Sequence, residues 1–300
     1  MKYLLEIRNL TKRYGNLLAV DNLTLNVPEK SVFGILGPNG SGKTTTLSII
    51  LGAVFQDSGD FSWNIGDGLK DNEIRKKIGS LLEKPNFLPY LSAVSNLKMV
   101  AKIKDAPEDA IEDALKAVGL YERRNSPFKT FSLGMKQRLA IASVLLSEPE
   151  VLVLDEPANG LDPQGIVEIR ELIKKLSLEG KTIIIASHIL DEVEKVCTDV
   201  AILKQGVLKE IYEIGSNKND YSYFEIGSDD MDTLESFLKV QPGIMEMINK
   251  GDFFMVQAVA DISIGELSKK LSDAGIIANH LQKSKKSLES VFLRVTGGDK

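Results

Sequence analysis

The sequence predicts an α/β fold that contains a helical insertion and is followed by a small α+β domain. Continuous apolar runs at Val151–Leu154 and Thr182–Ala186 are typical of strands buried on both faces of a parallel sheet. Segments with helical periodicity alternate with these runs, as they do in α/β proteins. After about Gly215 the pattern changes to shorter strands and helices. We therefore expect one domain at 1–215, with a helical subdomain at about 86–148, and a second domain at 216–300.

The composition restricts the class of protein. The chain has 300 residues, of which 43% are hydrophobic and 26% charged, so it can bury the cores of about two domains. No apolar run approaches the ~20 residues of a membrane-spanning helix, and Glu6 comes too early for the apolar part of a signal peptide. The single cysteine, Cys197, excludes an internal disulfide and fits a reducing cytoplasm. The net charge of −5 gives no electrostatic reason to expect a nucleic-acid partner.

The first elements of the α/β domain follow from local patterns. Leu4–Leu10 and Ala19–Val27 alternate apolar and polar residues, which predicts two half-buried strands joined by a polar turn at Thr11–Asn16. Ser31–Leu36 is apolar and suits a buried strand, and Thr45–Leu51 can continue from it as a helix after a glycine-rich turn. These assignments place a strand–turn–helix unit near the N-terminus.

The middle of the chain is helical before the buried strands begin. Ala110–Val118 has the clearest helical periodicity in the predicted subdomain. A helix is expected from Pro163 to Leu178, because proline suits a first helical position. Leu190–Cys197 predicts another helix and Val200–Leu203 a third buried strand.

The second domain is predicted to begin after a polar linker, Ser216–Asp220. Its strands and helices have the order β-α-β-β-α-β, which is the ferredoxin-like arrangement, with a last helix at Leu288–Val295. The predicted elements are Tyr221–Ile226, Met231–Val240, Ile244–Asn249, Phe253–Ala260, Ile264–Ala274 and Ile276–Leu281. No reactive side chains cluster here, so we expect a regulatory or packing module. The basic run Lys283–Lys286 is expected to be a solvated turn, with a contact to acidic lipid headgroups as the alternative.

The glycine-rich turn is the most informative motif. Its spacing is G-x4-G-K-[ST], and it lies between the predicted strand and helix, as a phosphate-binding loop requires. Backbone N–H groups of such a loop and the helix N-terminus attract phosphate. Lys43 would reach the β- and γ-phosphates, and the Thr44 hydroxyl would hold Mg²⁺. The loop consists of Gly37, Pro38, Asn39, Gly40, Ser41, Gly42, Lys43 and Thr44.

Two carboxylates follow the buried strand at Val151–Leu154. Ligands of open parallel sheets bind beyond the carboxyl ends of the strands, so Asp155 and Glu156 are expected beside the phosphate loop. Asp155 is placed to hold Mg²⁺, which prefers oxygen ligands. Glu156 is expected to act as the general base for the water that attacks the γ-phosphate.

These residues, together with a third motif, resemble the ATP-binding subunits of ABC transporters. Phe131–Arg138 reads F-S-L-G-M-K-Q-R and is similar to that family's signature, LSGGQ-x-Q-R. Ser132 and Gly134 match the signature, whereas three other positions depart from it. The resemblance covers about Leu4 to Ile214 and implies an ABC-type cassette of the P-loop NTPase fold. It also implies that each copy binds ATP with its own loop and with the signature helix N-terminus of a second copy.

The resemblance assigns further roles by position. Tyr14 resembles the aromatic residue that stacks on adenine, Asn159–Asp162 resembles the D-loop at the dimer interface, and His188 resembles the switch histidine that contacts the γ-phosphate. For Asn159–Asp162 a plain turn into the next helix is the alternative. The implied catalytic residues are Glu156, His188 and Lys43, and the implied Mg²⁺ ligands are Thr44, Glu83 and Asp155. The implied ATP-binding residues are Tyr14, Gly37, Pro38, Asn39, Gly40, Ser41, Gly42, Lys43, Thr44, Thr45, Ser132 and Gly134.

One position departs from the family pattern. Glu83 stands where glutamine is usual in the Q-loop, and an ionised glutamate only accepts hydrogen bonds. Exporters of lantibiotics and bacitracin-like peptides also carry glutamate here, together with a similar signature. The resemblance therefore implies an exporter ATPase that acts on peptide antibiotics or similar amphiphiles. Its partners would be a separate membrane permease, docked near the Q-loop and Tyr90–Lys98, and a second ATPase subunit, as a homodimer or a heterodimer. The chain would lie on the cytoplasmic face of the membrane.

The sequence argues against two alternative functions. A soluble ABC ATPase that acts on ribosomes or DNA is disfavoured by the single cassette, the lack of a heptad insertion and the net negative charge. A GTPase is suggested only by Asn217–Asp220, which fits N-K-x-D. That tetrapeptide falls in the predicted linker, and Asp155–Ala158 lacks the glycine of a D-x-x-G switch, so this alternative is discarded.

Overall fold

The computed structural model describes residues 2–66, 68–82, 86–215, 221–259, 262–284 and 288–296. The chain divides into two compact units, Met1–Ile214 and Gly215–Lys300. No helix among the described residues is both long enough and apolar enough to cross a membrane. The predicted linker, Ser216–Asp220, and the Mg²⁺ ligand expected at Glu83 lie outside the described residues, as do Lys285 and Lys286 of the basic run.

The first unit contains an antiparallel sheet, a mainly parallel sheet and a set of helices. In chain order its elements are β1 (Tyr3–Tyr14), β2 (Leu17–Pro28), β3 (Val32–Leu36), α1 (Lys43–Ile50), β4 (Ser58–Trp63), α2 (Asp71–Lys76), β5 (Ile78–Leu81), α3 (Ala93–Lys104), α4 (Ala110–Ala117), α5 (Leu133–Leu145), β6 (Val151–Asp155), α6 (Pro163–Leu178), β7 (Thr182–Ser187), α7 (Leu190–Val196), β8 (Asp199–Lys204) and β9 (Val207–Glu213).

The antiparallel sheet has the strand order β2-β1-β4. The predicted turn at Thr11–Asn16 is wrong in its length, because β1 continues to Tyr14 and pairs with β2 up to the Tyr14–Leu17 register. Thr11 and Lys12 are half-buried and Arg13 is exposed, so their polar side chains are compatible with a strand here. Only Gly15 and Asn16 form the turn. The longer hairpin carries Tyr14 on its end.

The second sheet has the order β5-β6-β7-β3-β8-β9. Its first five strands in this order are parallel, and β9 is antiparallel at the edge. All residues of β3 and β7 are buried, as their continuous apolar sequences predict. Strand β7 lies between β3 and β6, so the carboxyl ends of these three strands are neighbours at one edge of the sheet. This placement brings the phosphate loop, Asp155–Glu156 and His188 to the same place.

Helices α3, α4 and α5 lie within the segment expected to be helical, and two of them begin at a serine cap. The Ser92 hydroxyl accepts a hydrogen bond from the Ser95 N–H, and the Ser132 hydroxyl accepts one from the Met135 N–H. Helix α5 packs through buried residues such as Leu139 and Ile141. The signature motif therefore begins a helix, as its resemblance implied.

The second unit is a four-stranded antiparallel sheet with helices. Its elements are β10 (Tyr221–Ser228), α8 (Met231–Lys239), β11 (Ile244–Asn249), β12 (Phe254–Val259), α9 (Ile264–Asp273), β13 (Ala278–Ser284) and α10 (Leu288–Thr296). The strand order β11-β12-β10-β13 and the chain order β-α-β-β-α-β are those of a ferredoxin-like module. Its own core includes Phe224, Leu234, Phe254 and Leu267. The prediction that β13 begins at Ile276 is wrong, because the Ile276 N–H still bonds to the Leu271 carbonyl at the end of α9.

Candidate nucleotide-binding site

The loop between β3 and α1 has a backbone that only glycine allows at two points. Gly42 has φ +98°, and a Cβ atom there would lie 2.3 Å from the Ala19 carbonyl oxygen. A Cβ atom on Gly37 would lie 2.4 Å from both the Leu203 carbonyl oxygen and Ser41 Oγ. The loop is thus held against β2 and β8 by close backbone contacts. It leads directly into α1, which begins at Lys43.

Lys43 is folded back into the loop. Its side chain is 6% exposed, and Nζ donates to the Gly37 carbonyl at 2.8 Å and to the Pro38 carbonyl at 3.2 Å. The same amine lies 3.7 Å from Glu156 Oε1. Two carbonyl partners and one nearby carboxylate compensate the cost of burying the positive charge of Lys43. The amine can still turn toward an incoming anion. Gly37 and Pro38 thus contact the functional amine through their carbonyls.

Thr44 and Asp155 are in direct contact. The Thr44 hydroxyl donates to Asp155 Oδ2 at 2.7 Å, whereas Asp155 Oδ1 is buried and has no hydrogen-bond partner among the described residues. Burial raises the pKa of Asp155, and the neighbouring Glu156 carboxylate raises it further, while the hydrogen bond from Thr44 acts in the opposite direction. An unpartnered carboxylate oxygen beside a hydroxyl is a donor pair that suits a hard cation such as Mg²⁺.

That pair is too small to hold a cation without further ligands. Within the described ranges no three His, Cys, Asp or Glu side chains are grouped as a metal site. Mg²⁺ commonly binds to proteins through one or two carboxylates together with substrate phosphates and water. The residues present therefore fit a cation that arrives with a phosphorylated ligand.

Glu156 and His188 form the second contact at this edge. His188 Nδ1 lies 2.8 Å from both carboxylate oxygens of Glu156, and a carboxylate only accepts, so Nδ1–H donates. Glu156 follows β6 with φ +48°, and its N–H donates to the Ala186 carbonyl at 2.9 Å. The contact leaves Nε2 of His188 as the ring nitrogen available to a ligand.

Lys43, Thr44, Glu156 and His188 line one cavity of about 420 Å³, whereas Gly37, Pro38 and Asp155 lie behind these residues and are not part of its lining. Tyr14 is on its rim and is 47% exposed, which leaves a ring face open for stacking. Lys12 Nζ lies 5.5 Å from the centre of that ring. The residues that line the cavity are Tyr14, Leu17, Ala19, Asn39, Gly40, Ser41, Gly42, Lys43, Thr44, Thr45, Glu156, Asn159 and His188.

Sequence reasoning did not include Leu17 and Ala19 in the site. They lie at the start of β2, opposite Tyr14 in the hairpin, so the pairing of β1 with β2 is what places them there. Asn159, for which the sequence suggests a dimer contact or a plain turn, lines the cavity of its own chain. The neighbouring Asp162 caps α6 by accepting from the Gly165 N–H at 3.0 Å.

Ser132 and Gly134 are not among the residues that line the cavity. Gly134 is buried at the start of α5, where a Cβ atom would lie 3.6 Å from Gly165 of α6. Arg138, one turn later, bonds to Glu168 of α6 at 3.1 Å. The signature helix is therefore anchored on α6, and Ser132 is exposed at its N-terminus.

Comparison with known proteins decides the family. Residues 20–159 match the family described as ABC transporter. The bacitracin transport ATP-binding protein BcrA of Enterococcus faecalis is 36% identical over 99% of this chain and 98% of its own length. This chain belongs to the ABC transporter ATP-binding proteins. Such proteins bind ATP and hydrolyse it to power transport, so the expected family, fold class and ATPase activity are confirmed.

Other ABC relatives differ in how much of the chain they match. BcrA of Bacillus licheniformis is 38% identical over 99% of both chains. The lantibiotic transport ATP-binding protein SrtF of Streptococcus pyogenes is 42% identical, but over 71% of this chain and 93% of its own length. Among solved structures, cbiO1 of Clostridium perfringens, part of an ABC transporter complex, has a TM-score of 0.64 at 32% identity. It covers 71% of this chain and 89% of its own.

A dimeric ABC cassette solved in a post-hydrolysis state with ADP and phosphate is also similar. It has a TM-score of 0.62 at 28% identity and covers 71% of this chain and 99% of its own. The expectation that cassettes of this family bind adenine nucleotides and form dimers therefore has direct structural precedent.

Proposed function

We propose that this chain is the ATP-hydrolysing subunit of an exporter that removes bacitracin-like peptide antibiotics or similar amphiphiles through a separate membrane permease. The observation that carries this proposal is the match to both BcrA proteins over nearly the whole chain, second unit included. SrtF matches 71% of the chain, a share that corresponds to about the length of the first unit. We assign the ATPase cassette to residues 1–215, with its helical subdomain at about 86–148, and an accessory domain to 216–300.

The geometry supports named roles for the residues at the cavity. Lys43 and the loop N–H groups bind the β- and γ-phosphates, and Tyr14 stacks on the adenine. Thr44 and Asp155 hold Mg²⁺, which neutralises phosphate charge when bound. Glu156 accepts the proton of the attacking water, and His188 holds that carboxylate at 2.8 Å and contacts the γ-phosphate through Nε2. Positioned proton transfer of this kind contributes about 10² to 10⁴ in rate.

The active form is proposed to be a head-to-tail dimer, with two identical or two different ATPase subunits. Ser132 and Gly134 lie outside the cavity of their own chain, so the N-terminus of α5 is free to face a phosphate bound by another copy. The exposed side chains Leu88, Tyr90 and Met99 surround the start of the helical segment. They support docking of the permease there, on the cytoplasmic face of the membrane.

Glu156→Gln tests the catalytic and dimer assignments together. The variant keeps the shape and removes the base, so it should bind ATP, lose about 10²- to 10⁴-fold in hydrolysis rate and accumulate ATP-bound dimers in size-exclusion chromatography. Glu179→Gln changes an exposed glutamate at the end of α6 and should behave as the wild type. Persistent Glu156→Gln monomers at saturating ATP would contradict the shared site.

The substrate assignment is tested in cells. Expression of the chain with its permease in a bacitracin-sensitive bacterium should raise the bacitracin concentration that stops growth. The same permease with the Glu156→Gln chain should give no protection, because the conformational cycle stops before hydrolysis. Equal inhibition of both strains by bacitracin would reject this substrate class and leave the ATPase assignment intact.

A further inference from the structure

Arg170 and Glu192 form an ion pair that joins α6 to α7. Arg170 Nη2 lies 2.7 Å from Glu192 Oε1, and Nε lies 3.4 Å from Oε2. The two side chains are only 16% and 13% exposed. A two-point contact between a planar guanidinium and a carboxylate fixes orientation as well as distance. The pair therefore sets how the two helices meet.

The chain leads from the two residues of the Glu156–His188 contact into these two helices, after seven residues into α6 and after two into α7. The loop that follows Glu156 ends at Asp162, which caps α6 through the Gly165 N–H. Helix α7 begins at Leu190, two residues after His188. Ile189, the residue before α7, makes no side-chain cap, so the start of α7 has no local anchor of that kind. Glu156 and His188 therefore lie on the two segments that lead into the helices joined by the ion pair.

A small cavity lies between the two helices. A cavity of about 30 Å³ is lined by side chains of both helices and by the loops that lead to the site. Side chains that border a cavity make fewer contacts with other side chains than those in a close-packed core, so the ion pair supplies part of what holds α6 and α7 together. Its lining includes Arg170, Glu192, Pro157, Ala158, Ser187 and Cys197.

We propose that Arg170 and Glu192 are positioning residues that keep Glu156 and His188 in hydrogen-bonding distance during hydrolysis. They contact neither of those side chains and act through α6, α7 and the loops beside the cavity. The inference rests on the proposed roles of Glu156 and His188. The Arg170–Glu192 ion pair would serve hydrolysis without being required for the binding of ATP.

Arg170→Met and Glu192→Gln test this inference in the full-length protein. Each should lower kcat for ATP by about 10- to 100-fold with KM changed by less than about twofold, since the loop that binds phosphate is untouched. The exchanged pair, Arg170→Glu with Glu192→Arg, should recover part of the lost kcat. Glu171→Gln is the matched control, because it breaks the exposed Glu171–Lys174 pair on the same helix and should leave kcat unchanged.

A second measurement does not depend on activity. Cys197 is the single cysteine of the chain, is buried, and lines the same cavity as the pair. Its reaction with a small thiol reagent should be slow in the wild type and in Glu171→Gln. The same reaction should be about tenfold faster or more in Arg170→Met and Glu192→Gln, because the contact between α6 and α7 opens more often.

The outcomes separate the possibilities. Faster labelling with an unchanged kcat would show that the pair only packs the helices, and a rise in KM alone would show that it acts on ATP binding. Either result overturns the proposal. If Glu156→Gln itself hydrolysed ATP at the wild-type rate, the proposed base would be wrong, whatever the labelling of Cys197 showed.

Discussion

Glu156 combines a strained backbone with three polar contacts. Its φ of +48° lies in the left-handed region, which costs a non-glycine residue about 1–3 kcal/mol at such sites. The hydrogen bond to the Ala186 carbonyl, the contact to His188 and the approach of Lys43 to 3.7 Å oppose that cost. The conformation turns the carboxylate away from the strand direction and toward the cavity. Strain of this kind, retained next to a phosphate loop, is consistent with a catalytic task.

Asp155 offers a prediction that separates stability from activity. Burial raises its pKa, so the native carboxyl keeps its proton to higher pH than the unfolded chain does. The resulting stabilisation is complete below the unfolded pKa and is lost as pH rises through the native pKa. At neutral pH the ionised Asp155 carboxylate therefore lowers the free energy of unfolding of the protein without ligands. Asp155→Asn should keep or raise the Tm at pH 7 without nucleotide, while ATP hydrolysis falls about 100-fold or more because a cation ligand is lost.

The matched control for that variant is Asp191→Asn, an exposed aspartate in α7 that pairs with the exposed Lys195. It should change neither the Tm nor the rate appreciably. Repeating the melts at progressively lower pH should narrow any Tm difference between Asp155→Asn and the wild type, because protonation then relieves the wild-type carboxylate. A clear loss of Tm in Asp155→Asn at pH 7 would show that the contact with Thr44 outweighs burial.

Several helices and strands could be predicted because a few neighbouring residues carry a strong sequence pattern. Helix α6 has the predicted bounds, because Pro163 marks its first turn and its buried residues recur with helical spacing. Strands β6 and β7 followed from unbroken apolar runs that only a covered parallel sheet accommodates. The phosphate loop was found from its spacing and flanks. These are features that a few consecutive residues specify.

The elements that sequence analysis missed depend on distant partners. Strand β4 begins Ser-Gly-Asp, without an apolar pattern, and exists because it pairs with β1 from Leu5 to Thr11. Strand β5 has four residues and is fixed by β6, while β9 is an antiparallel edge on β8. Leu17 and Ala19 reach the nucleotide cavity for the same reason, through hairpin register. Long-range pairing of this kind has no short local signature.

The whole molecule consists of two units with separate cores. The core of the first unit is built from side chains between Leu4 and Leu203, and that of the second from side chains between Phe224 and Ile276. All described residues that line the nucleotide cavity belong to the first unit. The second unit carries its own capped helices, such as α9 with the Ser263–Glu266 capping box. Each unit thus has the internal contacts that independent folding requires.

Removal of the second unit should therefore spare ATP binding and test what that unit contributes. A chain that ends at Gly215 should unfold cooperatively, and its KM for ATP should stay within about threefold of the full-length value, a change of less than about 1 kcal/mol. SrtF, 93% of whose length matches 71% of this chain, shows that a relative of nearly cassette size exists. Because the BcrA proteins match both units, we expect the truncated chain to lose protection against bacitracin in cells that contain the permease. Calorimetry, ATPase kinetics and growth inhibition measure these three quantities.

Aggregation of the truncated chain, or loss of ATP binding, would show that the cassette needs the second unit to fold. Full protection by the truncated chain would show instead that the second unit has no part in export.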